Sequence, residues 1–425
     1  MDLNESPSLA REPELNAVEQ PDRDFAVLVD ERREFDTREP LGTFVVKVAS
    51  RCNLACTYCY MYQHPDQTWR EQPVFISRAT VDLLASRLVE YTRDRDGIRW
   101  LTVVAHGGEP LLLGADRLDQ FFSSIREALE ATGVKANLGL QTNALLVDDD
   151  IVAVLQGNRV HAGVSLDGPA EINDHHRVDH AGGGTFARAL AGIEKLRRPS
   201  SGDSVFGGIL ALANPDIPAR QCFDTFQSLD ASYIDFLLPD YNHDTFPFER
   251  YPAGVFGAWL IEMFDLWIAS RSKIEIRTFS VMMRLLLGSR YGYDSYGARA
   301  RGVVVIETDG SIHGLDVLKT AYHGATRTGL HLRDTRFADL ELTLPAVALS
   351  SKAVVAPEAC LDCDLFSVCG GGYLPHRFSR SGGFRRPSVY CRDLDMLIRH
   401  IRDHLDRELS HLPQWRERVG TRAAR

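Results

Sequence analysis

Between residues 44 and 271 strand-like and helix-like segments alternate six times, and no other feature of this 425-residue chain restricts its fold as much. The strand candidates are Phe44–Ala49, Trp100–His106, Asn137–Thr142, Val160–Leu166, Val205–Leu212 and Tyr233–Leu238. They are short apolar runs, as expected for parallel strands covered on both faces. Helical candidates fall between them, at Arg78–Arg93, Arg117–Ala131, Phe186–Arg197, Ala219–Leu229 and Gly254–Ser270. Such alternation predicts an α/β fold with a parallel, barrel-like sheet. Six units fall short of the roughly eight that close a TIM barrel, so a partial (β/α)6 barrel with an open side is expected.

Charge and hydropathy exclude several classes of function. The net charge is −10, and residues 1–40 hold 12 acidic and 5 basic side chains, so this stretch reads as a solvated acidic extension. It is also shorter than an independently stable recognition domain needs. No basic footprint points to nucleic acid. No apolar run approaches ~18 residues, and Met1 to Arg11 has no hydrophobic signal core, so no membrane partner and a cytoplasmic location are expected.

Past residue 271 the rhythm changes. Val303–Glu307, Thr308-Asp309-Gly310 and Ser311–Leu315 read as a β-hairpin on an Asp-Gly turn, and Arg392–Arg407 as an amphipathic helix. The expected division is an extension at 1–40, a barrel at 41–271, a bridge at 272–300, a metal-organised domain at 301–400 and a helical tail at 401–425. That metal-organised domain is read as loops unable to form a core alone.

Seven of the eight cysteines fall into two groups, which in a reducing compartment favours metal sites over disulfides. Cys52, Cys56 and Cys59 follow directly on the first strand and supply three thiolates. A complete iron–sulfur site needs four, so three leave one iron open to a further ligand. Zinc is the competing occupant, but a structural zinc site wants four protein ligands. Cys360, Cys363, Cys369 and Cys391 supply four, enough to close a cluster or, alternatively, a zinc knuckle. Cys222, beside Phe223 and Phe226, reads as a buried helix thiol.

The CxxxCxYC string after a first strand resembles the radical SAM enzymes, whose open iron binds S-adenosylmethionine (SAM). Later strand ends support it. His106-Gly107-Gly108-Glu109-Pro110 offers two glycines that permit close backbone approach to a ligand and a carboxylate able to accept from an ammonium. It is similar to the family's GGEP segment, which holds the methionine amino group. Gln141-Thr142-Asn143 is like the family's QTN. Ser165 and Arg177 stand where similar peptide-modifying members contact the ribose and the cofactor carboxylate. The resemblance therefore implies that Gly107, Gly108, Glu109, Asn143, Ser165 and Arg177 bind SAM.

The second cysteine group resembles the SPASM extension of radical SAM peptide maturases, where two auxiliary [4Fe–4S] clusters are common. Here Tyr373 and Leu315 stand at positions that carry cysteines in that pattern. The resemblance then implies two clusters in all: one at Cys52, Cys56 and Cys59, and one auxiliary at Cys360, Cys363, Cys369 and Cys391. Strings such as His64-Pro-Asp-Gln-Thr-Trp69 and Cys369-Gly-Gly-Gly-Tyr-Leu-Pro-His-Arg377 resemble the FxsB family of radical SAM/SPASM maturases. That likeness implies a ribosomally made precursor peptide as substrate and an external electron donor such as flavodoxin or ferredoxin. The implied reaction is hydrogen abstraction at Cβ followed by a crosslink to an aromatic ring, a cyclophane. Asp316, after the missing hairpin cysteine, is either the proton acceptor for that step or a carboxylate capping a turn. The alternatives are another radical SAM oxidation, such as formylglycine formation from Ser or Cys, and a zinc-stabilised binding protein. Loss of the hairpin-side cluster argues against the usual sulfatase-maturing type.

Overall fold

The computed structural model describes residues 41–290, 292–299, 302–340 and 356–413, so the 1–40 extension and residues 414–425 of the tail lie outside the described residues. One ten-stranded sheet organises them. Its first six strands are β1 (Thr43–Ala49), β2 (Trp100–Gly107), β3 (Lys135–Thr142), β4 (His161–Ser165), β5 (Phe206–Leu212) and β6 (Tyr233–Leu237). They lie side by side in sequence order and all neighbours are parallel. A two-residue strand β7 (Glu275–Ile276), inside the region read as a bridge, adds to β6 at one edge. At the other edge β8 (Val303–Ile306) pairs parallel with β1, and β9 (Ser311–His313) and β10 (Arg327–His331) follow antiparallel. The Asp-Gly hairpin is therefore present, but it continues the barrel sheet rather than founding a separate one. The sheet stays open, with β7 and β10 as its edges.

Helices cover the outer face because their apolar residues recur at helical spacing. In α1 (Arg78–Asp94) Val81, Leu84, Leu88 and Tyr91 are buried, and in α2 (Ala115–Glu130) Leu118, Phe121, Phe122, Ile125 and Leu129. Ser77 caps α1 by accepting from the Thr80 N–H at 3.0 Å. Two helices that the sequence did not announce, Asp149–Gly157 and Ala170–His176, carry the chain between β3 and β4 and away from β4.

The strands are not covered on both faces as expected. Along β2, Leu101, Val103 and Ala105 are buried beneath helices, while Thr102, Val104 and His106 alternate with them and are half-buried. The same alternation in β3, β4 and β5 turns Gln141, Ser165, Leu210 and Leu212 inward. These inward residues line a cavity of about 510 Å³.

The C-terminal part also departs from expectation. Leu315, Leu318, Ala321, Ala325, Leu374, Phe378 and Phe384 form a second apolar core, against which Val317, Tyr322 and Tyr373 pack. This segment thus makes a core of its own. The C-terminal helix, Cys391–Leu409, lies against the helix Val255–Ser270. Gly257 permits the contact: its N–H donates to Asp393 Oδ1 at 2.8 Å, and a Cβ there would stand 2.8 Å from the Asp393 Cα. Among the described residues no helix is long and apolar enough to cross a membrane.

Candidate active site

The loop after β1 brings all three cysteines of the first group to the cavity wall, with Gly107, Gly108, Glu109, Asn143, Ser165 and Arg177 on the same wall. Cys52 and Cys59 are nearly enclosed, and burial pushes the Cys59 thiol up to about 11 and the Cys52 thiol higher still. Three soft donors on one loop beside an open cavity fit a cluster with one unprotected iron. Asn143 Nδ2 ties this loop to the end of β3 by donating to Asn53 Oδ1 at 2.8 Å.

The two glycines of the β2 end, besides lining the cavity, meet the backbone of another segment. A Cβ on Gly107 would stand 2.0 Å from the Ala49 carbonyl oxygen, and one on Gly108 2.2 Å from that of Arg51. Gly107 also has φ +146°, a region that L side chains avoid. What approaches them is the backbone of the cysteine loop: the Gly108 N–H donates to Ala49 O and the Glu109 N–H to Arg51 O, both at 2.9 Å. The glycines thus fasten the end of β2 to the cysteine loop.

Glu109 is buried and already occupied. Oε1 accepts from the Leu111 N–H at 3.0 Å and the Thr142 hydroxyl at 2.7 Å, and Oε2 from the Asn143 N–H at 2.9 Å. Its carboxylate joins the ends of β2 and β3 and keeps one of about four lone-pair sites for a ligand. Ser165 Oγ accepts from Gln141 Nε2 at 2.9 Å. Arg177 donates to the Tyr58 hydroxyl at 2.9 Å, which donates in turn to Asp167. Tyr58 and Asp167 also line the cavity and are not among the expected site residues, although Tyr58 lies within the cysteine string and Asp167 two residues after Ser165.

Asp316 is not among the cavity-lining residues. Its Oδ2 accepts from Lys47 Nζ at 2.5 Å and from the Tyr60 hydroxyl at 2.6 Å. Lys47 is fully buried and also lies 3.2 Å from His106 Nδ1. Burial alone would raise the Asp316 pKa, but the charge of Lys47, with His106 and the hydrogen bonds from Lys47 and Tyr60, holds it well below the usual carboxylate range. The structure therefore presents Asp316 as the counter-ion of a buried lysine, a weak base.

The second cysteine group is spread over the turn after Pro357 and the start of the C-terminal helix, with Cys363 and Cys391 exposed. Cys360 senses the charges of Cys391 and Cys363, and Arg377 those of Cys360 and Cys369, so the four thiols share one neighbourhood. Neither cysteine group is drawn to metal-ligand distance among the described residues. The donor chemistry, four thiols with one buried guanidinium beside them, fits an auxiliary iron–sulfur site.

Residues 46–212 match the Radical SAM superfamily. Several of the curated proteins similar to this chain over 83–90% of its length are sulfatase-maturating enzymes. A serine-type anaerobic sulfatase-maturating enzyme of Klebsiella aerogenes is 26% identical over 393 residues, 90% of this chain and 92% of that one. A cysteine-type one of Clostridium perfringens is 22% identical over 364 residues, 83% and 94% of the two chains. Among solved structures, anSMEcpe with bound AdoMet superposes with a TM-score of 0.72 at 20% identity, over 87% of this chain and 100% of that one. SuiB of Streptococcus suis, bound to its precursor peptide SuiA, superposes with a TM-score of 0.58 at 14% identity over 83% and 76%.

These findings overturn the likeness to the FxsB family and with it the expected aromatic crosslink. The strings behind that likeness lie mostly in loops next to cysteines, so they report the cofactor set that many maturases share and not the reaction. The expected fold class stands: an α/β partial barrel of the radical SAM type with a C-terminal SPASM-like extension.

Proposed function

We propose that this chain is a radical SAM oxidase that converts a serine or cysteine side chain of a peptide or protein to an aldehyde, the formylglycine reaction. The observation that carries the reading is full-length similarity to both serine-type and cysteine-type sulfatase-maturating enzymes. A SAM-bound cluster at Cys52, Cys56 and Cys59 supplies removal of a hydrogen atom. The rest falls to the chain. Arg177, kept charged by Tyr58 and Asp167, is suited to a cofactor carboxylate, and the free lone pair of Glu109 to its ammonium. Asn143 and Ser165 supply neutral polar contacts on the same wall. For serine the balance is R–CH2–OH to R–CHO with loss of one hydrogen atom, one proton and one electron; for cysteine the same losses give R–CHS, which water converts to R–CHO with release of hydrogen sulfide. The four-cysteine site is suited to take the electron, and an external flavodoxin or ferredoxin to exchange it.

Anaerobic reconstitution tests this reading. Two clusters require about eight irons per chain. Ser- and Cys-containing peptides should gain an aldehyde that hydrazide reagents trap, together with 5′-deoxyadenosine. Cys52, Cys56 and Cys59 changed together to Ala should abolish both products and keep about four irons. Uptake of zinc in place of iron, or SAM cleavage with no aldehyde from either peptide, refutes it.

A further inference from the structure

The arginines that line the cavity are already engaged. Arg250 reaches Asp216 at 2.7 Å, Arg277 is paired with the buried Asp235, and Arg177 is joined through Tyr58 to Asp167. One carboxylate on the same wall is not matched in this way. Asp240, two residues past Leu238 on the loop that follows β6, lines the cavity with 22% of its side chain exposed. Among the described residues its ion-pair neighbour is His376, whose Nε2 lies 3.9 Å from Oδ1, and no arginine or lysine reaches it. Burial, then the charges of Asp316 and Asp294, push its pKa up to about 7, as in a carboxyl group that faces other acids and no cation. Tyr373 and Tyr390 are the other titratable groups facing it.

A second observation points to a ligand at the same place. His376 is 2% exposed and lines the cavity, yet neither ring nitrogen makes a hydrogen bond of good geometry; its one backbone contact is a weak one with Pro239. Burial holds it neutral, with its pKa down to about 3. A buried polar group without a partner is costly, and in a cavity wall the natural partner is what fills the cavity.

We propose that Asp240 and His376 form a subsite for a cationic side chain of the peptide substrate, and that arginine is the residue it takes. The inference rests on the reading above for the substrate being a peptide. Guanidinium suits the pair better than ammonium does. Its planar fork serves a carboxylate and an imidazole nitrogen together, and its flat faces suit a wall that includes Tyr241 and Tyr373. Arginine binding stabilises the Asp240 carboxylate and so expels a proton wherever that carboxyl was protonated.

The test uses the anaerobically reconstituted enzyme and two probes, N-acetyl-arginine methylamide and its neutral isostere N-acetyl-citrulline methylamide. Calorimetric titrations at pH 7 in two buffers of different ionisation enthalpy read affinity and proton release together. The arginine probe should bind at least about tenfold tighter. About half a proton should leave at pH 7 and less at pH 8, as a carboxyl titrating near 7 requires. Asp240→Asn should abolish both the preference and the release. Equal binding of the two probes, binding of neither, or a preference that survives in Asp240→Asn overturns the proposal. Should that variant fail to fold, the wild-type release decides, and its absence overturns the subsite. Aldehyde formation measured on the same preparations separates the two ideas. Probe discrimination without aldehyde keeps the subsite and removes the oxidase, and aldehyde without discrimination does the reverse.

Discussion

Glu109→Gln separates a residue that only binds the cofactor from one that also holds the barrel mouth together. The amide is nearly isosteric but carries one acceptor oxygen where the carboxylate has two. Whichever way it is turned, one backbone N–H, of Asn143 or of Leu111, faces the new NH2 group without an acceptor. A buried N–H left in that state costs about 1–3 kcal/mol. Part of this returns because the carboxylate is itself costly to bury, as the upward shift of its pKa shows. A net loss of about 1 kcal/mol follows, a fall in unfolding temperature of roughly 1–2 °C for a chain of this size. The measurement is differential scanning calorimetry of the iron-free protein, with no SAM present, beside equilibrium dialysis of SAM against the loaded enzyme. SAM affinity should fall about ten- to a hundredfold, the range of one charge-assisted contact. An unchanged unfolding temperature with SAM binding lost would refute the clamp.

Two further outcomes follow from the Lys47 network. Asp316→Asn leaves a fully buried lysine without its counter-ion and should cost about 3–5 kcal/mol in urea unfolding, most of which Lys47→Met with Asp316→Leu recovers; a fully stable Asp316→Asn sinks the ion pair. His106, held down to about 4 by burial and then by Lys47, is neutral when folded and charged below about 6.5 when unfolded. The unfolded chain therefore binds the extra proton, and stability from this group falls as pH drops from 6.5 to 4, by up to about 1.4 kcal/mol per unit. His106→Gln should flatten that part of the slope, and equal slopes in the two proteins dispose of the idea.

Local pattern carried much of this in the sequence. The six strands and five helices sit within a few residues of their expected positions because apolar periodicity is a local property. The inner face of the barrel was misjudged because half-buried Gly163, Ser165 and Gln141 look like any polar interruption until the strand's neighbours are known. Lys47 and Asp316 meet across 269 residues, and His376 approaches Asp240 across about half that gap, so no window could reveal either pair. Gly107 and Gly108 announce close approach in the sequence, but that the Ala49 and Arg51 backbone is one of the groups approaching is a tertiary fact.

The C-terminal extension carries an apolar core where the SPASM-type pattern expects two cysteines. The SPASM-type pattern places cysteines where Leu315 and Tyr373 stand, and here Leu315 lies inside the second apolar core with Tyr373 against it. Leu315, Leu318, Leu374, Phe378 and Phe384 are each 4% exposed or less. At about 1.5–3 kcal/mol per buried side chain, five of them contribute on the order of 10 kcal/mol before entropy is counted. That is comparable to what a structural metal contributes to a small domain. Apolar burial can therefore hold this region without thiolates at these two positions. The remaining four thiols are arranged differently: Cys363 and Cys391 are exposed, and Cys391 opens a helix anchored elsewhere through Gly257 and Asp393. On the proposed function a cluster there is not needed to fold its surroundings. Its position at the surface suits the exchange of electrons with a carrier.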